Sequence, residues 1–183
     1  MSEESVRPST VQRLLLLLFL LIAYGRVAWR LGFQDLWWDE SLSLQRAESA
    51  LLPLLRGDLI NYDGHSLLPT NDQHPFALFL IQSGLLRLAG DSEFVLRYTS
   101  VMAVTLLPAV LWVFARWFVR KDIWPSSTPY WAAGFAAISP FFLWFGQEAR
   151  PYALWGMLAP LSTYLLLRTI DSRQIRWRWA VGF

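Results

Sequence analysis

The sequence predicts an all-α integral membrane protein, a multi-span helical bundle with amphipathic helices on its outer surface. Three observations carry that prediction. Hydrophobic residues make up 55% of the 183 and charged residues only 16%, against roughly a quarter charged in soluble domains. The apolar residues are gathered into runs about as long as a spanning helix requires, roughly 20 residues. The basic residues, 16 in all with Lys121 the sole lysine, fall mostly between those runs, where they mark sidedness. Cysteine is absent, which excludes a disulfide frame, a thiolate metal site and a cysteine nucleophile. A net charge of +2 on scattered arginines gives no basic patch for nucleic acid, and none is expected as a partner.

Residues 1–12 read as a polar cytoplasmic tail, and 13–183 as one transmembrane domain. The first span is expected at 14–33, with Arg26 and Arg30 in its last turns snorkelling toward an interface. A signal peptide is the competing reading, from Arg13, the leucine-rich run and the small residues of Ala23 to Gly25. No A-x-A site follows, and either reading leaves the next segment outside the cytoplasm. An outer loop then runs over 34–94. Its apolar stretch from Pro75 to Leu86 is too short to cross, so 75–89 is read as an interfacial helix with Arg87 at its polar end. Further spans are expected at 95–117, 124–146 and 151–168, with the start of another at 177. Charge supports this order. It places Arg116, Arg120, Lys121, Arg168, Arg173, Arg176 and Arg178 on the inner side with Arg7 and Arg13. Counting 75–89 as a span would put all but the last two of these outside.

Two acidic stretches then share the outer face, "LWWDESLSLQRA" at 36–47 and "WFGQEARPY" at 144–152. Asp39 and Glu40 have two readings, the N-terminal cap of a following helix or general bases at a dry boundary. Gln147, Glu148, Arg150 and Tyr152 are either a solvated turn or an arginine–carboxylate set that holds a phosphate leaving group. His74, in "NDQHPF", stands at the start of the interfacial helix as a hydrogen-bonding group near the site. Asp63, His65, Asp72 and His74 match no compact ligand spacing, and no metal is predicted. "GDSEF" at 90–94 reads as a turn capping the next helix, with Arg97 near its interface. P-loop, GxSxG, HExxH and GxGxxG patterns do not occur.

Taken in order, "LWWDESLSLQRA", "HPFALFLIQSGLLRLAGDSEFVLRYTSVMAV" and "ISPFFLWFGQEARPYALWGMLAPLSTYLLLR" resemble the N-terminal part of a GT-C membrane glycosyltransferase. The nearest likeness is to glycosyltransferase family 39, the group of protein O-mannosyltransferases and the lipid-A aminoarabinose transferase. It runs over about residues 12–183. The resemblance implies a multi-pass enzyme of the plasma membrane with its active-site loops outside. The enzyme would move a sugar from a polyprenyl-phosphate donor to a protein, lipid or glycan acceptor, with inversion. The first-loop base maps onto Asp39, with Glu40 beside it. The second-loop acid maps onto Glu148, flanked by Gln147 and Arg150. No cofactor is implied beyond the lipid-linked donor, and a divalent metal between the loop acids is left open. The family's "HPP" stands here as "HPF", and the loop "RGDLINYDGHSLLPTND" is longer than its common form. Members run to several hundred residues, so the chain is expected to be the N-terminal part of such an enzyme, incomplete alone. The other readings are a transporter component, disfavoured by the lack of ionisable residues in the middles of the last three spans, and a non-catalytic remnant.

Overall fold

The computed structural model describes residues 9–62 and 64–171. The expected tail up to residue 8, Asp63 and the start of a span at 177 lie outside the described residues. Ser9 opens α1 (Thr10–Ala28) through a reciprocal cap. The Gln12 amide N–H donates to Ser9 Oγ at 3.3 Å, and the Ser9 N–H donates to Gln12 Oε1 at 3.0 Å. The helix thus starts inside the expected tail and ends at Ala28 rather than Phe33. It ends there because Trp29 is already extended (φ −61°, ψ 117°), and Arg30 follows in the left-handed region at φ 56°.

The segment between α1 and the next long helix folds as α2 (Trp38–Glu48), α3 (Leu51–Arg56), β1 (Asp58–Tyr62), β2 (Leu67–Asn71) and α4 (Ala77–Ala89). The described residues are mostly helical, as expected, and one two-stranded hairpin interrupts the helices here. β1 and β2 form an antiparallel hairpin, Asp58 facing Asn71 and Tyr62 facing Leu67. The Gln45 side chain pairs with the backbone of Ile60, accepting its N–H at 3.0 Å and donating to its carbonyl at 3.2 Å. That contact gives one backbone edge of the hairpin a partner. Arg46 holds the module together from within. Its Nε donates to the Leu54 carbonyl at 2.9 Å, and its Nη1 donates to the His74 carbonyl at 2.9 Å and Asp72 Oδ2 at 3.0 Å. The guanidinium lies 4.1 Å from the centre of the Phe79 ring, so a buried charge is both paired and stacked.

Gly57 ends α3 at φ 79°, and a Cβ there would stand 2.2 Å from the Asp72 carbonyl oxygen. The Asp72 N–H donates to the Gly57 carbonyl at 2.8 Å, so the backbone cannot back away without opening the hairpin. Gly57→Ala is therefore expected to destabilise the protein by about 1–3 kcal/mol, read as a lower melting temperature in detergent. Gly25→Ala, with open space around its Cβ, is expected to be neutral or better as the control.

α5 (Glu93–Arg120) is the central helix, packed against α1, α4, α6 (Thr128–Ile138), α7 (Pro140–Gly146) and α8 (Tyr152–Asp171). Its 28 residues span about 42 Å at 1.5 Å per residue, enough for the hydrocarbon core and both headgroup layers. Ser92 caps its start, accepting the Val95 N–H at 3.3 Å. α1, α5 and α8 are each long and apolar enough to cross a membrane. Only 11% of the apolar window of α1 and of α8 is buried, against 39% for α5. The outer two therefore present apolar side chains outward, as lipid-facing helices do.

The span expected at 124–146 is not one helix. α6 and α7 are separated at Ser139, whose extended conformation (φ −58°, ψ 126°) is the one a following proline favours. Pro140 has no N–H to donate, and Ser139 Oγ restarts the helix by accepting from Phe142 N–H at 3.5 Å. The break frees the Ala137 carbonyl, which accepts from Arg26 Nη1 at 3.0 Å.

Candidate active site

The first turn of α2 places Asp39 and Glu40 about 100° apart around the helix, and the two carboxylates meet different surroundings. Glu40 points inward and is 1% exposed. Its Oε1 accepts from Arg97 Nε at 2.8 Å and from the Ala149 N–H at 2.7 Å. Its Oε2 accepts from Arg97 Nη2 at 2.7 Å and from the Trp37 N–H at 3.4 Å. A carboxylate has about four lone-pair positions, and all are taken. Both Glu40 oxygens are thus engaged in bonds that tie α2 to its neighbours.

Arg97 was read only as an interfacial residue, and it is the partner that sequence reasoning missed. Its other N–H groups donate to the carbonyls of Leu31 at 2.8 Å, Gln34 at 2.9 Å and Asp35 at 3.2 Å. One guanidinium thereby joins α5 to the turn after α1 and, through Glu40, to α2 and the turn before α8. The signal was available in the apolar stretch "FVLRYTSV", where an arginine must find a partner.

Asp39 is the open member of the pair, with 35% of its side chain exposed. Arg150 approaches it from the turn before α8. Arg150 Nη1 donates to the Asp39 carbonyl and to Ser43 Oγ, both at 3.3 Å, and its Nη2 lies 3.8 Å from Asp39 Oδ2. Arg150 is itself 6% exposed, so it faces α2 rather than the open site where a phosphate was expected to meet it.

Glu148 lines a cavity of about 640 Å³ together with Asp35, Trp37, Glu40, Trp144 and Tyr152. Burial pushes its carboxyl above the usual range. The charges of Glu40 and Asp39 push the same way, while Trp144 and Arg150 oppose them. Gln147 stands beside it, its amide donating to the carbonyls of Val27 at 3.2 Å and Trp29 at 3.1 Å. A second cavity, of about 410 Å³, adjoins the first through Gln34, Arg97 and Gln147 and reaches Arg26 and Arg30.

His74 is not part of either cavity wall. It stacks on Trp155 with ring centres 5.8 Å apart, and Trp155 in turn meets Tyr152 at 5.9 Å. Asp72 Oδ1 accepts from both the backbone N–H and Nδ1 of His74. Burial works to raise the Asp72 carboxyl, but these bonds and Arg46 outweigh it and hold it below the usual range.

The structure thus brings Asp39, Glu40, Gln147, Glu148, Arg150 and Tyr152 to one end of the bundle, with His74 reaching them through the aromatic pair. It adds Arg97, Asp35, Trp37 and Trp155. Chemically, the arrangement offers an open carboxylate beside an arginine, and a second carboxylate with raised proton affinity over an aromatic-walled cavity.

No curated protein and no solved structure matches this chain. The family model of dolichyl-phosphate-mannose-protein mannosyltransferases matches residues 73–183, over half of the sequence and covering α4 to α8. With its three helices long and apolar enough to cross a membrane, the chain is an integral membrane protein that belongs to this family of membrane glycosyltransferases.

Proposed function

We propose that the chain belongs to an enzyme that transfers a sugar, with inversion, from a polyprenyl-phosphate donor to an acceptor hydroxyl. Transfer takes place at the extracytoplasmic face of the plasma membrane, and the acceptor is a protein, lipid or glycan. Asp39 is the base that takes the acceptor proton, and Arg150 sets its position. Glu148 is the second acid at the cavity and Tyr152 part of its wall. Glu40 acts as a positioning residue through its pairing with Arg97 and Ala149. The observation that carries this reading is the convergence of the first-loop and second-loop carboxylates at one end of the bundle beside a cavity of about 640 Å³. A base needs only hydrogen-bond reach to the proton it removes, and a half-open carboxylate at a lipid boundary offers it.

The test is transfer by the full-length enzyme in liposomes, offered radiolabelled hexoses on polyprenyl phosphate or on a nucleotide. Transfer is expected from the lipid donor alone, with the anomeric configuration inverted. Use of the nucleotide donor, or a retained configuration, would overturn the reading.

A further inference from the structure

The cavity of about 410 Å³ beside the end of α1 has a character opposite to that of its neighbour. Its wall carries Arg26, in the last turn of α1, and Arg30, just past the end of that helix, and among the described residues neither pairs with a carboxylate. Arg26 gives one guanidinium N–H to the Ala137 carbonyl, which leaves others open. Among the described residues the Arg30 guanidinium makes no hydrogen bond, although its backbone carbonyl accepts from the Phe33 N–H at 3.0 Å. Its guanidinium instead lies 3.9 Å from the centre of the Phe33 ring, a contact that fixes the charge while leaving its donors exposed.

The backbone that presents Arg30 is strained and held. A non-glycine residue at φ 56° costs about 1 kcal/mol or more and persists where its surroundings over-determine it. Here the surroundings are the three carbonyl bonds from Arg97 to Leu31, Gln34 and Asp35. The ion pair that orders the acidic cavity therefore also fixes the basic one. Gln147 stands in both walls, and exposed Trp29 and Phe33 beside the arginines supply apolar surface at an interfacial level.

We propose that Arg26 and Arg30 bind the phosphate of the polyprenyl-linked donor, with the sugar reaching past Gln34 and Gln147 into the cavity of Glu148. The inference rests on the donor class proposed above and deepens it. It gives the phosphate to Arg26 and Arg30, because Arg150 is buried against α2. In the bland alternative, Arg26 only satisfies the carbonyl freed by the α6–α7 break, and both arginines meet whatever lipid phosphates are nearby.

The test is equilibrium binding of radiolabelled polyprenyl phosphate to the full-length enzyme in phosphatidylcholine nanodiscs. Arg26→Gln/Arg30→Gln is expected to raise Kd by about 10- to 100-fold, the loss of charge-assisted hydrogen bonds. Arg30→Gln alone, which removes no hydrogen bond of the fold, is expected to raise it by about tenfold. Unchanged affinity in the Arg30 variant overturns the site. Equal competition by phosphatidylglycerol shows generic headgroup binding, and equal competition by inorganic phosphate shows a free-phosphate site; either overturns the donor assignment. Asp39→Asn is expected to bind as the unmodified enzyme does. Normal binding with undiminished transfer in that variant would sink the proposed base while leaving the phosphate site standing.

Discussion

Arg97→Ala is expected to be the most damaging single change at the end of the bundle that carries the candidate site. The Arg97 and Glu40 side chains are 4% and 1% exposed, so the substitution strands a buried carboxylate with no neutralising charge. Breaking such a pair costs about 3–5 kcal/mol, a large share of the roughly 5–15 kcal/mol that a folded domain has in hand. It also removes the donors serving the Leu31, Gln34 and Asp35 carbonyls. Thermal unfolding of the detergent-extracted full-length protein, with size-exclusion profiles before heating, reads the effect. The double variant Arg97→Met/Glu40→Leu is expected to recover part of the loss, because it strands no charge. Recovery is incomplete because the three carbonyls still lack partners. A single variant that melts with the unmodified protein would show that the junction is not what holds the outer module to the bundle.

Asp39→Asn has the opposite profile, a large loss of activity with little loss of fold. The side chain is 35% exposed, and the hydrogen bond from Arg150 goes to the Asp39 backbone carbonyl rather than to the carboxylate. Asparagine keeps the shape and removes the ability to take a proton, together with the loose 3.8 Å charge contact to Arg150 at a side chain 35% exposed. The initial rate of sugar transfer is expected to fall about 10²- to 10⁴-fold, the usual contribution of a general base. Stability is expected to stay within about 0.5 kcal/mol, as at other sites away from the core. Full transfer by the variant would move the base elsewhere, and Glu148 is the next carboxylate at the cavity.

How far the sequence reveals this depends on the range of each interaction. α4, α5 and α8 follow from apolar runs and their flanking charges, because a run of that length has few other uses. The break at Ser139 was written in Pro140, yet the uninterrupted hydrophobicity around it reads as a single span. The hairpin was not legible because its strands are five residues each and their pattern is too short to stand out. In the site, Asp39 and Glu40 look alike on paper. Their separation into an open and a saturated carboxylate comes from Arg97, 57 residues away, and Ala149, 109 residues away. Arg46 likewise reads as an ordinary helix-end arginine until Leu54, Asp72 and His74 fold around it.

The convergence on Glu40 also sets a schedule for biosynthesis. Residues 31–40 leave the ribosome first and Arg97 follows, but the Ala149 N–H that completes the carboxylate's shell is made last. At about 5–20 residues per second, a few seconds or more separate the ion pair from its closure. During that interval the Glu40 carboxylate lacks one of its four hydrogen bonds. The turn before α8 closes the shell only when it arrives.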